Sequence, residues 1–218
     1  FVAALLGALF TTVLGVLMSG QMLLDGQPYA PRTPGDANNA GVAFIHQELN
    51  LFTNLSIAEN IFINGFPRVS WLPVLNRNAM RSQTRQYLDA VDLHVSPDTL
   101  VEKLSPGERQ LAEIAKALSF RARLIIFDEP TTSLTARETE RLFTLIERLR
   151  SDGASIVYIS HILADVMRLA DEVAVLRDGE LVGHGPKADF TVRSMIALMV
   201  GRDIKQLYPE RTASVTAA

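Results

Sequence analysis

A short apolar run, Leu124-Ile125-Ile126-Phe127, leads straight into two adjacent carboxylates, Asp128 and Glu129, and then Pro130. A strand ending this way sets both acids at the carboxyl edge of a parallel sheet, where open α/β folds bind ligands. Asp128 is then placed to hold Mg2+ directly or through water, and Glu129 to polarise a water for attack on phosphorus. The plainer alternative is two solvated acids at a strand end. Leu104-Ser105-Pro106-Gly107-Glu108 puts a serine before a helix start with a glycine close by. That arrangement suits an anion such as phosphate, although an ordinary N-cap uses the same serine. His161 follows the apolar run Ile156 to Ile159 and is a candidate for touching a γ-phosphate or orienting the water activated by Glu129. A structural or merely exposed histidine is the competing reading. Gln47 follows the run Gly41 to Ile45 in the same way. Its side-chain oxygen suits a Mg2+ or water shell, and a surface glutamine needs no such role.

Holding these groups together takes alternating strands and helices. Gly41 to Ile45, Arg123 to Phe127, Ile156 to Ile159 and Glu172 to Leu176 are short apolar runs of the kind that form buried strands. Ala136 to Arg150 carries Leu142, Phe143, Leu145, Ile146 and Leu149 at helical spacing, and Ile162 to Ala170 reads as a further helix. Arg177-Asp178-Gly179 turns the last strand back into Glu180-Leu181-Val182. This alternation predicts an α/β layered sheet. Between Asn50 and Phe120 the texture is mostly helical, with capping-box spacing at Ser56 to Glu59 and helices over Asn78 to Val91 and about Pro106 to Leu118. Phe66 to Leu75, with Trp71 and two prolines, reads as a loop. Asp25-Gly26-Gln27-Pro28 followed by Pro31, Pro34 and Gly35 reads as a hairpin tip and loop.

The 218 residues suit a single core. A formal charge of -3 argues against gripping nucleic acid through a large basic excess. The absence of cysteine excludes a disulfide framework, a thiolate metal site and a cysteine nucleophile. Phe1 to Leu24 carries no charged side chain and is long enough to cross the roughly 30 Å hydrocarbon core of a bilayer as a helix. With no basic residues on its amino-terminal side, it reads instead as a buried strand followed by a buried helix.

In chain order, Gln47, Leu104 to Glu108, Leu124 to Glu129, Thr132 to Thr135 and His161 resemble the Q-loop, signature, Walker B, D-loop and switch histidine of ABC-transporter nucleotide-binding domains. Ile45 to Leu51, Glu113 to Leu118, Asp128 to Thr135, Gly201-Arg202-Asp203 and Leu207-Tyr208-Pro209 resemble the first half of the two-domain ATPases that energise monosaccharide import. The resemblance implies a P-loop-NTPase-like (RecA-like) α/β fold with a parallel sheet core and an inserted helical subdomain. It divides one incomplete domain into a core over 1–49 and 121–200, a helical insertion over 50–120 and a linker or tail over 201–218. It further implies ATP and Mg2+, with Asp128 and Gln47 at the metal, Glu129 and His161 catalytic, and Gln47, Ser105, Gly107 and Glu108 at the nucleotide. The implied partners are membrane permease subunits, a second ABC ATPase domain and, indirectly, a periplasmic sugar-binding protein, at the cytoplasmic face of the membrane.

One part of the pattern is missing. No G-x-x-x-x-G-K-[ST] string occurs in the chain. Ala4-Leu5-Leu6-Gly7 resembles the strand and turn leading into such a loop, but Ala8 to Val16 contains no lysine. In that loop glycine amides cradle the phosphates and the lysine neutralises them. Pro106 and Glu108 also depart from the usual signature. A permease-docking module without hydrolysis is therefore a rival reading. A DNA-repair ATPase is another, although nothing here sustains the coiled-coil heptads that it would insert.

Overall fold

A computed structural model describes residues 2–6, 22–46, 50–68, 75–120 and 122–201. A six-stranded sheet runs in the order β4 (Val42–Ile45), β5 (Leu124–Asp128), β6 (Ser155–Ser160), β1 (Val2–Leu6), β7 (Glu172–Arg177), β8 (Glu180–Pro186). β4, β5 and β6 are parallel, with Ile45 opposite Phe127 and Asp128 opposite Ile159. The carboxyl ends of these strands therefore share one edge, as the runs of the sequence require.

Two hairpins turn on an Asp-Gly pair, each residue with positive φ. Asp25 and Gly26 join β2 (Met22–Leu24) to β3 (Gln27–Tyr29), and Asp178 and Gly179 join β7 to β8. That turn follows the right-handed strand twist, and Asp and Gly tolerate the left-handed backbone it needs.

β1 departs from the expected parallel core. It pairs antiparallel with both neighbours, Leu6 facing Ile156 and Val2 facing Ser160. Its carboxyl end thus lies at the edge opposite Asp128, not where Ala4 to Gly7 was expected to lead. A strand in this slot can satisfy its hydrogen bonds in either direction, and antiparallel pairing is slightly the more stable.

The helices are α1 (Pro34–Asn39), α2 (Ile57–Ile61), α3 (Arg77–Ala90), α4 (Pro106–Leu118), α5 (Ala136–Ser151), α6 (Leu163–Leu169) and α7 (Val192–Val200). α2, α3 and α4 pack on one another, and α4 also packs on β4, joining the helical region to the sheet. One apolar cluster spans both, from Ile57, Leu88 and Val101 through Ile114 to Phe127, Ile146 and Val175. α1 corrects the sequence reading, and α7 stands where no element was read. Thr33 caps α1 in the stretch expected to be loop, with Pro34 in the first turn and Asp36 closing a capping box. Thr191 and Ser194 do the same for α7, which ends at Gly201 with φ 73°. No helix among the described residues is long and apolar enough to cross a membrane. Most of the opening segment read as strand then helix lies outside the described residues.

Candidate functional site

Beyond Asp128 the chain leaves the sheet through a residue in the left-handed region, Glu129, with φ 48°. Such a backbone is unfavourable for a side chain other than glycine and persists where its surroundings fix it. Here they do. The Glu129 N–H donates to the Ile159 carbonyl at 2.9 Å, and its own carbonyl accepts from Thr132 Oγ1 at 3.0 Å.

This backbone turns a buried carboxylate toward His161, whose Nδ1 lies 2.9 Å from Glu129 Oε1. The Glu129 side chain is 9% exposed and the His161 ring 55%, so the pair has one end in the protein and one at solvent. A carboxylate oxygen accepts, so a proton on Nδ1 would make this contact a hydrogen bond from the ring to Glu129. The arrangement is that of an oriented base beside an imidazole. Ser160, just before the histidine, is buried, and its Oγ accepts from the Ile162 N–H at 2.9 Å, bending the chain at His161.

A second layer of contacts holds the turn. Thr131 Oγ1 donates to Asp165 Oδ2 at 2.9 Å, and the buried Tyr158 hydroxyl donates to the same oxygen at 3.2 Å. Burial pushes the Tyr158 hydroxyl well above its ordinary pKa, so it remains a donor. Sequence reasoning passed over these three residues. The available signal was a tyrosine on the inward face of a strand, which needs a partner for its hydroxyl.

The signature-like residues open α4. Ser105 is its N-cap and accepts from the Glu108 N–H at 3.3 Å, while the Glu108 carboxylate accepts from the Ser105 N–H at 2.8 Å. Glu108 thus closes a capping box, and Pro106 occupies a first-turn position where its missing N–H costs nothing. Gly107 is buried against α5. A β-carbon there would overlap the Glu138 carboxylate, 2.5 Å from its Cδ. Glu138 is itself held by Thr135, accepting from its N–H at 2.8 Å and from its hydroxyl at 2.7 Å. These bonds hold the Glu138 carboxyl below the usual range.

The structure therefore brings Glu129 and His161 together, with Asp128 next to them at the edge of β5. Ser105, Gly107 and Glu108 form a separate group, tied to one another and to the start of α5. Gln47 lies outside the described residues, and His46 before it stacks on Phe44 at 4.2 Å between ring centroids. Among the described residues no group of three or more His, Asp or Glu side chains is gathered as a metal cluster.

Residues 6–132 match the profile of the ABC transporter family. The chain is 44% identical to a ribose import ATP-binding protein RbsA of Chelativorans sp. strain BNC1, over 95% of this chain and 41% of the relative. It is 41% identical to an RbsA of Bacillus cereus strain ATCC 14579, over 90% of this chain and 40% of the relative. The chain thus spans less than half the length of the curated relatives it matches. Among solved structures, the ADP conformation of MJ1267, an ATP-binding cassette of an ABC transporter, superposes with a TM-score of 0.68 at 19% identity, covering 84% of this chain and 78% of that one. A dimeric post-hydrolysis state of the cassette MJ0796 bound to ADP and Pi gives 0.66 at 22%, covering 78% and 74%. The family match covers more than half of the chain, including α4 and the carboxylate end of β5, and the chain belongs to the ABC transporter family.

Proposed function

We propose that the chain is part of an ATP-binding and hydrolysing subunit that energises import of a monosaccharide, with Glu129 and His161 at its hydrolytic centre. The observation that carries this reading is the 2.9 Å contact between a buried carboxylate and a half-exposed imidazole at the carboxyl edge of the sheet. The import role rests on the ribose importers among its relatives.

The residues present fit the hydrolytic half of such a site. Mg2+ is commonly held by one or two carboxylates together with substrate phosphates, and Asp128 supplies one at the strand end. Gln47 is proposed to complete the shell. When bound, ATP with Mg2+ supplies an electrophilic phosphorus. Glu129 takes the proton from an attacking water, and His161 holds Glu129 Oε1 through Nδ1. Ser105, Gly107 and Glu108 are assigned to the nucleotide held by a second ATPase domain. Permease subunits are the proposed membrane partner at the cytoplasmic face, with a periplasmic sugar-binding protein engaged indirectly.

The residues do not fit the phosphate-gripping half. The sequence has no glycine-lysine loop, and β1 delivers the chain to the opposite edge. This favours a second reading, in which the chain docks on a permease without hydrolysing ATP. Calorimetric ATP binding and phosphate release by the purified chain and by Glu129→Gln separate the two. The hydrolytic reading expects binding in both proteins and at least a hundred-fold slower turnover in the variant, the range for losing a general base. Absence of ATP binding in both would replace it with the docking reading.

A further inference from the structure

We propose that the cleft between the end of α3 and the length of α5 docks an acidic segment of a partner protein, its carboxylates paired with Arg137 and Arg148. The cleft encloses about 440 Å³, with Asp89 to Asp92 on one wall and Arg137, Arg141, Thr144 and Arg148 along the other. That volume is within the range of binding pockets.

Arg137, Arg141, Thr144 and Arg148 recur at helical spacing and so form a row on one face of α5. Like charges in such a row repel, and acids on the same helix can relieve them. Here those acids are committed elsewhere. Glu138 accepts from Thr135 at the start of the helix, and Glu140 is gripped by both terminal nitrogens of Arg168, on which Glu147 also acts. Across the cleft, Asp92 Oδ2 lies 3.2 Å from Arg141 Nε, and its other oxygen lies 2.9 Å from His94 Nε2. Arg137 and Arg148 remain exposed, and among the described residues neither guanidinium has an ion pair or a hydrogen bond. Two open cations at the ends of a cleft whose own acids are taken call for anions from outside the chain.

Spacing and lining say which anions. Arg137 and Arg148 lie eleven residues apart, about 16 Å along the helix axis. A row that long suits a chain with spaced carboxylates better than one small anion, and about five residues of extended chain cover it. Carboxylates also match the planar fork of a guanidinium, which holds them bidentately. Ala90, Val91 and Leu145 add apolar surface to the same lining, so the fitting segment carries apolar residues between its acids. Exposed Asp89 in that lining and the formal charge of -3 oppose a nucleic acid, whose phosphates present a continuous row of negative charge. The inference needs neither ATP binding nor hydrolysis, so it stands or falls apart from the reading above.

The test uses the 15N-labelled chain at low salt and two blocked peptides, acetyl-Glu-Leu-Ala-Leu-Ala-Glu-amide and its counterpart with glutamine in place of both glutamates. The acidic peptide is expected to shift amides at Val91, Arg141 and Thr144 and to bind about ten-fold more tightly than the neutral one, as two exposed ion pairs allow. Arg137→Gln combined with Arg148→Gln should erase that difference, and Asp89→Asn should raise the affinity for the acidic peptide. All three positions are exposed, so the variants keep the fold. Equal affinities for the two peptides, shifts confined to other residues, or no shifts at millimolar peptide would overturn the proposal. The same shifts produced by inorganic phosphate or by an oligothymidylate would overturn it in favour of an unselective anion patch.

Discussion

Glu113, buried on α4, affects stability through its charge. Its folded-state pKa is raised, first by desolvation. Below the unfolded value of about 4.3 both states hold the proton and nothing is lost. As pH rises from there through the folded value, the unfolded chain ionises first and stability falls, then levels off. Urea unfolding across pH should show this fall in the wild type and a flatter profile in Glu113→Gln; parallel profiles would contradict it. Gly107 makes the opposite kind of prediction. Gly107→Ala must displace the Glu138 carboxylate and with it the cap of α5, at a cost of about 1–2 kcal/mol. Combined with Glu138→Ala, the two losses should fall short of additive by denaturant midpoint. At this scale the candidate site was legible in part. Asp128, Glu129 and His161 stood at the ends of apolar runs. Thr131, Tyr158 and Asp165 did not stand out, because their hydrogen bonds join segments that only the fold brings near.

The elements show why local signals succeeded where they did. Capping boxes start α1, α2, α4, α5 and α7, and the sequence reading used the one at Ser56 while overlooking Thr33 and Thr191. Prolines and glycines around Thr33 spoke for a loop, yet Pro34 stands in the first turn, where proline starts a helix as readily as it ends one. Ser56 is buried, caps Glu59 and also donates to its carboxylate at 2.7 Å. Ser56→Ala is therefore expected to cost about 1 kcal/mol in chemical denaturation, more than the same change at exposed Ser105. The direction of β1 was not legible, since an apolar strand of this length carries the same residues whichever way it pairs.

Across the whole molecule, the helical region and the sheet share one apolar cluster, joined where α4 packs on β4. Heat unfolding of the described fold should therefore be a single transition, with equal calorimetric and van't Hoff enthalpies. Two separated transitions would mark the helical insertion as an independent unit. Phe127 is fully buried in that cluster, and Phe127→Ala is expected to lower stability by about 3–5 kcal/mol without splitting the transition. The exposed ion pairs that tie α5 to its surroundings, Arg150 with Asp171 and Arg168 with Glu140, are of the kind that contribute less than about 1 kcal/mol each. The layered α/β architecture followed from the alternation of runs, because each run is short, strongly apolar and bounded by turn residues.

The left-handed backbone at Glu129 has a meaning for how this chain tolerates change over time. A side chain in that conformation is disfavoured by about 1–2 kcal/mol, close to what its hydrogen bond to His161 returns. Drift to glycine at this position would relieve the backbone while giving up the bond to His161, two effects on folding that oppose each other. Under the proposed hydrolytic role, the chemistry adds a demand for glutamate there, so among descendants released from that demand residue 129 is expected to change before the core does.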